Sequence, residues 1–326
     1  MTKLNILQYS TLDNLSISND FSLSALSTND SFEKCCFEYK ERYGYKKIKT
    51  FSFSKEGFLA LFLELDETIA VSKGESEAVV EGAKLYERIG GKIAWLGLNK
   101  EGLVDFTALQ TQSLKLVFVS SYVMDTFVKT DLSELKQYEN LKIISNASAC
   151  VDTRSDIIYF DNYKLTGFNS SGVLLFNKEE FELLPIGTID TISVKICLDA
   201  LKAQEFNTEL KHLFIEKLQR DLGDDIFFFV EPALTLDYSL HFGLRGIRAR
   251  EFIRTLALSK IYITNGEGCS LGLSRPSRII QEMGYGEDKS RESISLSFCE
   301  ELRDEKVEEI VNMIVKKYKQ IKLLNS

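Results

Sequence analysis

A chain of 326 residues is long enough for one large or two medium domains and for a sizeable buried core. Hydrophobic residues at 44% and charged residues at 27% are ordinary globular values, which excludes a disordered or fibrous chain. Forty basic against 48 acidic residues leave a net charge of −8, which gives no basic footprint for DNA or RNA and nothing to attract an anionic membrane.

The longest apolar runs, such as 57–65 and 226–230, stop far short of the ~20 residues a membrane span needs. Segment 1–30 is rich in Ser, Asn and Leu but has no basic start followed by an apolar block, so no secretory signal is expected. Six cysteines (Cys35, Cys36, Cys150, Cys197, Cys269, Cys299) are scattered without C-x-x-C spacing and are expected to be thiols in a reducing compartment. The two histidines, His212 and His241, have no cysteine or carboxylate at ligand spacing, so neither a zinc site nor a histidine-activated nucleophile is expected. The expectation is a soluble cytoplasmic protein whose chemistry would come from a cofactor or from lysine, cysteine and carboxylates.

In chain order, the spacing of Ala78, Val79, Gly82, Leu85, Tyr86 and Ile89 predicts a helix over 75–89. Near-continuous apolar runs predict strands at 92–98, 115–120, 142–145, 156–160 and 172–176, as for strands buried on both faces. Asp131 caps a short helix over 131–138. Alternation of strand and helix argues for an α/β domain with a mostly parallel sheet. After Gly187 the texture changes. A long amphipathic helix over 191–222, broken near Phe206 and Asn207, precedes strands at 226–230 and 236–242 and a helix at 249–259. A strand at 261–264, a loop at 265–274, a helix at 275–283, a strand at 293–298 and a terminal helix at 304–324 follow. This α+β mixture predicts a smaller second domain, with the division at 1–203 and 204–326.

Two segments could carry chemistry. In 156–176 a buried strand runs into Lys164, and a turn with Gly167 and Gly172 leads into another buried strand. A lysine at the lip of a parallel sheet can sit desolvated beside a ligand and form a Schiff base with an aldehyde. From spacing alone, a solvated loop lysine is the commoner outcome. In 261–283 a strand enters a loop with three glycines around Cys269, and a helix begins beyond Pro276. Cys269 on such a loop could reach a substrate, although a free cysteine is more often a small buried hydrophobe. The adjacent Cys35 and Cys36 and the basic cluster Arg245, Arg248, Arg250 and Arg254 are read as packing and as a solvated face, and His241 as structural.

Together the two segments resemble the cysteine desulfurases, class V members of the fold-type I pyridoxal-phosphate superfamily. The family's Ser-Gly-Ser-Ala-Cys is echoed by Asn265-Gly266-Glu267-Gly268-Cys269. Its Pro-Ser-x-x-Leu-x-x-Met-Gly is echoed from Pro276 to Gly284, with Ile280 at the leucine position. Its His-Lys-x-x-Gly, with a later glycine before a strand, is echoed by Tyr163-Lys164-Leu165-Thr166-Gly167 and Gly172, and its Gly-Thr pair by Gly187-Thr188. The resemblance covers 140–320, and before that only the order of elements.

The resemblance implies a large cofactor domain with a mostly parallel central sheet and a small α+β C-terminal domain. It implies that Lys164 holds pyridoxal 5'-phosphate and that Cys269 takes sulfur from L-cysteine as a persulfide, releasing alanine. It also implies that Thr188 reaches the phosphate of a neighbouring subunit's cofactor in a homodimer, and that a sulfur-acceptor protein is a further partner. The sequence departs from the pattern at several points. Tyr163 stands where the family has histidine, and Asn146 where it has the aspartate under the pyridine nitrogen; Asp152 is too close to Lys164 to substitute. The ring-stacking Glu-His falls at Glu75-Ser76, and the substrate-gripping arginine at Ser295, with Arg291 nearby. The phosphate-binding Ser-Gly-Ala-Thr-Glu is echoed faintly in 51–57, with Ser54 as the candidate contact. A pyridoxal-phosphate enzyme with another amino-acid substrate, and a degenerate homologue acting as a scaffold, therefore stay open.

Overall fold

The computed structural model describes residues 1–8, 10, 30–65, 67–110, 114–178, 189–267, 275–299 and 302–325. The first part contains β1 (Thr2–Lys3), α1 (Asp30–Tyr43), β2 (Lys47–Phe51), α2 (Lys55–Leu65), β3 (Ile69–Ser72) and α3 (Glu77–Arg88). It continues through β4 (Ile93–Leu96), α4 (Thr107–Gln110), β5 (Leu116–Phe118), β6 (Lys142–Asn146), β7 (Ile157–Phe160), α5 (Asn162–Thr166), β8 (Gly172–Phe176) and α6 (Thr191–Ala203). Seven strands form one sheet in the order β2-β8-β7-β6-β5-β3-β4. From β7 through β4 every pairing is parallel, whereas β8 is antiparallel to both β7 and β2. The mostly parallel α/β sheet expected from the sequence is present.

Successive residues of the continuous apolar runs feed opposite layers, as the strand period of two requires. Ile69, Val71, Phe118, Ile144, Tyr159 and Leu174 pack with Phe58, Phe62, Val79 and Ala83 of α2 and α3. Their neighbours face the other way. Ile158, Phe160, Val173 and Leu175 meet Tyr39 of α1 and Val194, Cys197 and Leu198 of α6, while Ala70, Val117 and Ile143 meet Leu109, Leu132 and Leu135. The helix expected at 131–138 is a 3-10 turn over Leu132–Gln137, with Asp131 accepting from Ser133 N.

The second part contains α7 (Leu210–Leu222), β9 (Ile226–Phe227), β10 (Ser239–Leu244), α8 (Ala249–Ala257), β11 (Ile261–Tyr262), α9 (Arg278–Glu282), α10 (Glu287–Ser290), β12 (Ser293–Ser297) and α11 (Asp304–Asn325). The helix expected over 191–222 is two helices, because Asn207 Oδ1 accepts from Glu209 N and Leu210 N and starts α7 afresh. Strand β10 lies between β12 and β9, antiparallel to both. The core beneath includes Phe214, Leu218, Phe242, Phe252, Leu296, Val311 and Tyr318, together with Leu4 from the start of the chain. Strand β1 pairs in parallel with β11, Leu7 N donates to Ser297 Oγ, and Ser10 N donates to the Lys164 carbonyl. Among the described residues, no helix is long and apolar enough to cross a membrane.

Candidate functional site

Parallel strands deliver the turns that follow them to one sheet edge, where ligands of open α/β sheets bind. Here β3 leads to Ser72–Glu77, β5 to Ser120, β6 ends in Asn146, and β7 leads to Asp161. Lys164 follows on α5, which is a short helix where the sequence suggested a loop. Asp161 Oδ1 accepts from Lys164 N, Thr166 Oγ1 donates to the Asn162 carbonyl, and Gly167 closes the turn at φ 80°. That left-handed end is the conformation glycine adopts without penalty.

Lys164 is 8% exposed. Its Nζ donates to Glu267 Oε1 at 2.9 Å, lies 3.5 Å from Met124 Sδ and is 4.0 Å from Asp161 Oδ2. The second oxygen of the same carboxylate, Glu267 Oε2, accepts from Glu77 N at 2.8 Å, the first residue of α3. One carboxylate thus joins the buried ammonium to a helix N-terminus, whose free N–H groups and dipole favour an anion. Burial works against the Lys164 ammonium, but the charges of Glu267 and then Asp161 outweigh it and hold the amine above its ordinary value. Burial likewise opposes the Glu267 carboxylate, but Lys164 and Arg278 hold it below its ordinary value.

Asp125 anchors the backbone that carries Glu267. Its Oδ1 accepts from Glu267 N and its Oδ2 from Ser277 Oγ, both at 2.8 Å. Gly266, at φ 93°, lies so close that a Cβ would sit 2.1 Å from the Asp125 carboxyl, so only glycine fits there. Burial, then the charge of Glu267, pushes the Asp125 carboxyl up to about 6. Asp125 and Phe127 both have positive φ, 61° and 57°, which marks the turn over Lys164 as strained.

A circuit of hydrogen bonds closes around this edge. Glu75 Oε1 accepts from Ser120 Oγ at 2.7 Å and Oε2 from Tyr159 Oη at 2.9 Å. Asn146 N donates to Ser120 Oγ, Ser148 N to Asn146 Oδ1, and Asp161 N to Ser148 Oγ. Burial pushes the Glu75 carboxyl up to about 6 against the two hydroxyl bonds. Among the described residues, Asn146 Nδ2 on this circuit and the neighbouring Ser76 Oγ and Arg278 Nε are buried without a hydrogen-bond partner. Such orphans are uncommon in protein interiors. An open cleft of about 510 Å³, lined by Lys55, Glu77, Ala78, Glu81 and Arg275, reaches the same end of α3.

This donor set fits pyridoxal phosphate at three points. Lys164 offers an amine for the aldehyde, and the first turn of α3 with Ser76 Oγ suits the phosphate. Asn146 Nδ2 can donate to an unprotonated pyridine nitrogen. The Glu267 carboxylate stands between the first two as an internal anion.

The sequence-predicted residues divide in three. Lys164 and Asn146 share the circuit, and Glu75 and Ser76 lie in the turn between β3 and α3, where the Glu267 carboxylate meets the helix end. Ser54 immediately precedes α2, accepting from Gly57 N and Ser52 Oγ. Cys269 and Thr188 lie outside the described residues. Ser295 Oγ donates to the Asp125 carbonyl and accepts from His241 Nδ1, and Arg291 pairs with Glu287. His241 is fully buried, and burial pulls its imidazole down to about 3, so it is neutral and structural. Burial raises the thiols of Cys35 to about 12 and Cys36 to about 11, so both are poor nucleophiles.

Glu267, Asp125 and Arg278 were not singled out from the sequence. Arg278 Nη1 donates to the Lys73 carbonyl at 2.6 Å and Nη2 to that of Glu75, and Nη2 lies 3.8 Å from Glu267 Oε2. It clamps the turn between β3 and α3. The signal available was a charged residue, Glu267, in place of a small one within a glycine loop.

The sheet order, with a short helix between the last parallel strand and the antiparallel β8, gives the mixed α/β fold its large, mostly parallel central sheet. Among solved structures, the chain is similar to a NifS-like protein with a TM-score of 0.75 and 13% identity, covering 98% of this chain and 99% of the other. A NifS-like protein from Rickettsia africae gives 0.67 and 17%, covering 91% and 90%. SspA in complex with cysteine gives 0.66 and 14%, covering 86% and 92%. No protein-family model matches the chain, and no curated protein sequence does.

Proposed function

We propose that this protein binds pyridoxal 5'-phosphate through Lys164 and acts on an amino acid. The observation that carries the reading is the anion bridge from the buried Lys164 amine to the α3 N-terminus, where Ser76 Oγ is unpartnered, on one circuit with the unpartnered Asn146 Nδ2. Lys164 would hold the aldehyde end, the first turn of α3 with Ser76 the phosphate, and Asn146 the ring nitrogen. When bound, the group supplies an electron sink for bonds at the α-carbon of an amino acid. Asn146 donates a neutral hydrogen bond and does not balance a pyridinium charge, so it favours a neutral ring and a weaker sink. Lys164 must lose a proton before its nitrogen can act as a nucleophile, and the nearest acceptor is Glu267 Oε1.

The amino acid of this proposal is L-cysteine, in keeping with the resemblance at Cys269 and with the cysteine complex of SspA. The carbon–sulfur bond of cysteine breaks, its sulfur passes to the Cys269 thiol as a persulfide, and alanine leaves. A cytoplasmic homodimer with Thr188 at the partner's phosphate, a sulfur-acceptor protein and a domain division at 203 belong to the same proposal. A scaffold without chemistry is the second reading. It is favoured by Asn146 and by the Glu267 ion pair, which gives Lys164 a structural reason to be there.

The test adds pyridoxal phosphate to the purified protein, reduces with borohydride and maps the labelled peptide by mass. Label on Lys164 supports cofactor use, and an unlabelled chain turns the reading to the scaffold. With L-cysteine as substrate, Cys269→Ala should abolish sulfur transfer and leave labelling intact. Unchanged alanine and sulfide release by that variant would remove Cys269 from the reaction.

A further inference from the structure

A carboxylate that satisfies an ammonium and a helix N-terminus together occupies the ground that a phosphorylated aldehyde would need at both of its reactive ends. Glu267 does this with a backbone fixed in advance. Its amide is held by Asp125 Oδ1 at 2.8 Å, Gly266 is seated against the Asp125 carboxyl, and Thr264 Oγ1 accepts from Gly266 N at 3.1 Å. The side chain is delivered to the bridge, and Arg278 at 3.8 Å adds to the positive surroundings that keep it ionised.

We propose that Glu267 is a resident competitor, holding the seat between Lys164 and the α3 N-terminus until a phosphorylated aldehyde displaces its carboxylate. The proposal rests on the cofactor reading and adds a specificity element to it. Loading requires two charge-assisted hydrogen bonds to break, and these are the strong kind. The incoming group must therefore bring its own anion for the helix end and its own partner for the amine. An aldehyde without a phosphate meets only one of these needs and leaves Glu267 in place. Removing the carboxylate acts twice in the same direction, because it frees the helix end and takes from Lys164 the nearer of the carboxylates that hold its proton, leaving Asp161 at 4.0 Å.

The experiment uses the full chain purified without cofactor, as wild type, Glu267→Gln and Glu267→Ala, each first checked for its native circular dichroism. Pyridoxal 5'-phosphate is titrated with borohydride trapping at Lys164 as the readout, and thermal midpoints are recorded with and without inorganic phosphate. Both variants should be labelled at half-saturating concentrations at least roughly tenfold lower than wild type. Inorganic phosphate should raise the midpoint of the variants and leave that of wild type unchanged. Equal labelling and equal phosphate response in all three proteins overturn the role of Glu267 while the cofactor reading stands. If Lys164 is labelled in none of them, the cofactor reading fails and phosphate decides alone. A midpoint rise confined to the variants then supports Glu267 as the competitor for the anion seat, and its absence overturns it.

Discussion

Replacing Lys164 by Met keeps the volume of the side chain and removes its charge. In the cofactor-free protein, Glu267 would then be buried against Glu77 N with Arg278 3.8 Å away as its remaining cation, and Asp161 would lose the ammonium at 4.0 Å. Breaking one partner of a buried ion pair typically costs about 3–5 kcal/mol. Because Arg278 remains and the Glu267 side chain is 15% exposed, the lower end applies, about 3 kcal/mol, or roughly 1 M in the urea midpoint. The pH dependence gives a second check. In wild type the Glu267 carboxyl lies below its ordinary value, so its pairing stabilises above the unfolded pKa of about 4.3 and is lost as pH falls through the folded one. In Lys164→Met, burial without the ammonium lifts the same carboxyl, so the deficit opens as pH rises above about 4.3. Urea denaturation at pH 8 and pH 4.5 should show a full deficit at the first and a reduced one at the second. The double variant with Glu267→Met should recover most of the loss, since an apolar pair can replace a buried ion pair. Equal midpoints for wild type and Lys164→Met at pH 8 would refute the electrostatic account of this site.

Asn146→Asp should lower the thermal midpoint of the cofactor-free protein, because it buries a carboxylate at a fully enclosed position, and it should raise the response to pyridoxal phosphate above wild type. A smaller response than wild type, measured by the same melts, counts against Asn146 as the ring-nitrogen partner. Gly266→Ala should destabilise by about 2 kcal/mol or more, from strain at φ 93° and a Cβ driven into Asp125, read as a urea midpoint; a neutral result would mean the loop is not seated on Asp125. The Glu75 carboxyl at about 6 lies above its unfolded value of about 4.3, so the folded state gains protons between them and this contribution is lost as pH rises through 6. Glu75→Gln should therefore gain on wild type by on the order of 2 kcal/mol between pH 4.5 and pH 7.5, and a pH-independent difference in denaturation sinks that assignment.

The strands were legible because β5 to β8 are buried on both faces and read as unbroken apolar runs. Strands β2 and β3 escaped: β2 is an alternating edge strand of five residues, and β3 is a buried run that was not singled out. Lys164 was legible through its local setting between a buried strand and a glycine turn. Its environment was not, since the bond from Glu77 N to Glu267 joins residues 190 apart and a charged residue in a glycine loop has no periodicity to betray it. Arg278 stood at an unspecified position between Ser277 and Ile280, and only the fold brings it to the carbonyls of Lys73 and Glu75.

The parallel pairing of β1 with β11 and the seat of Leu4 in the C-terminal core bear on how the chain folds as it leaves the ribosome. Strand β1 must wait for β11, on the order of tens of seconds at ordinary synthesis rates. Meanwhile the seven-stranded sheet, whose strands lie between Lys47 and Phe176, can assemble. Leu4 lacks its core neighbours throughout that interval, and chaperone dependence during translation should concentrate around it.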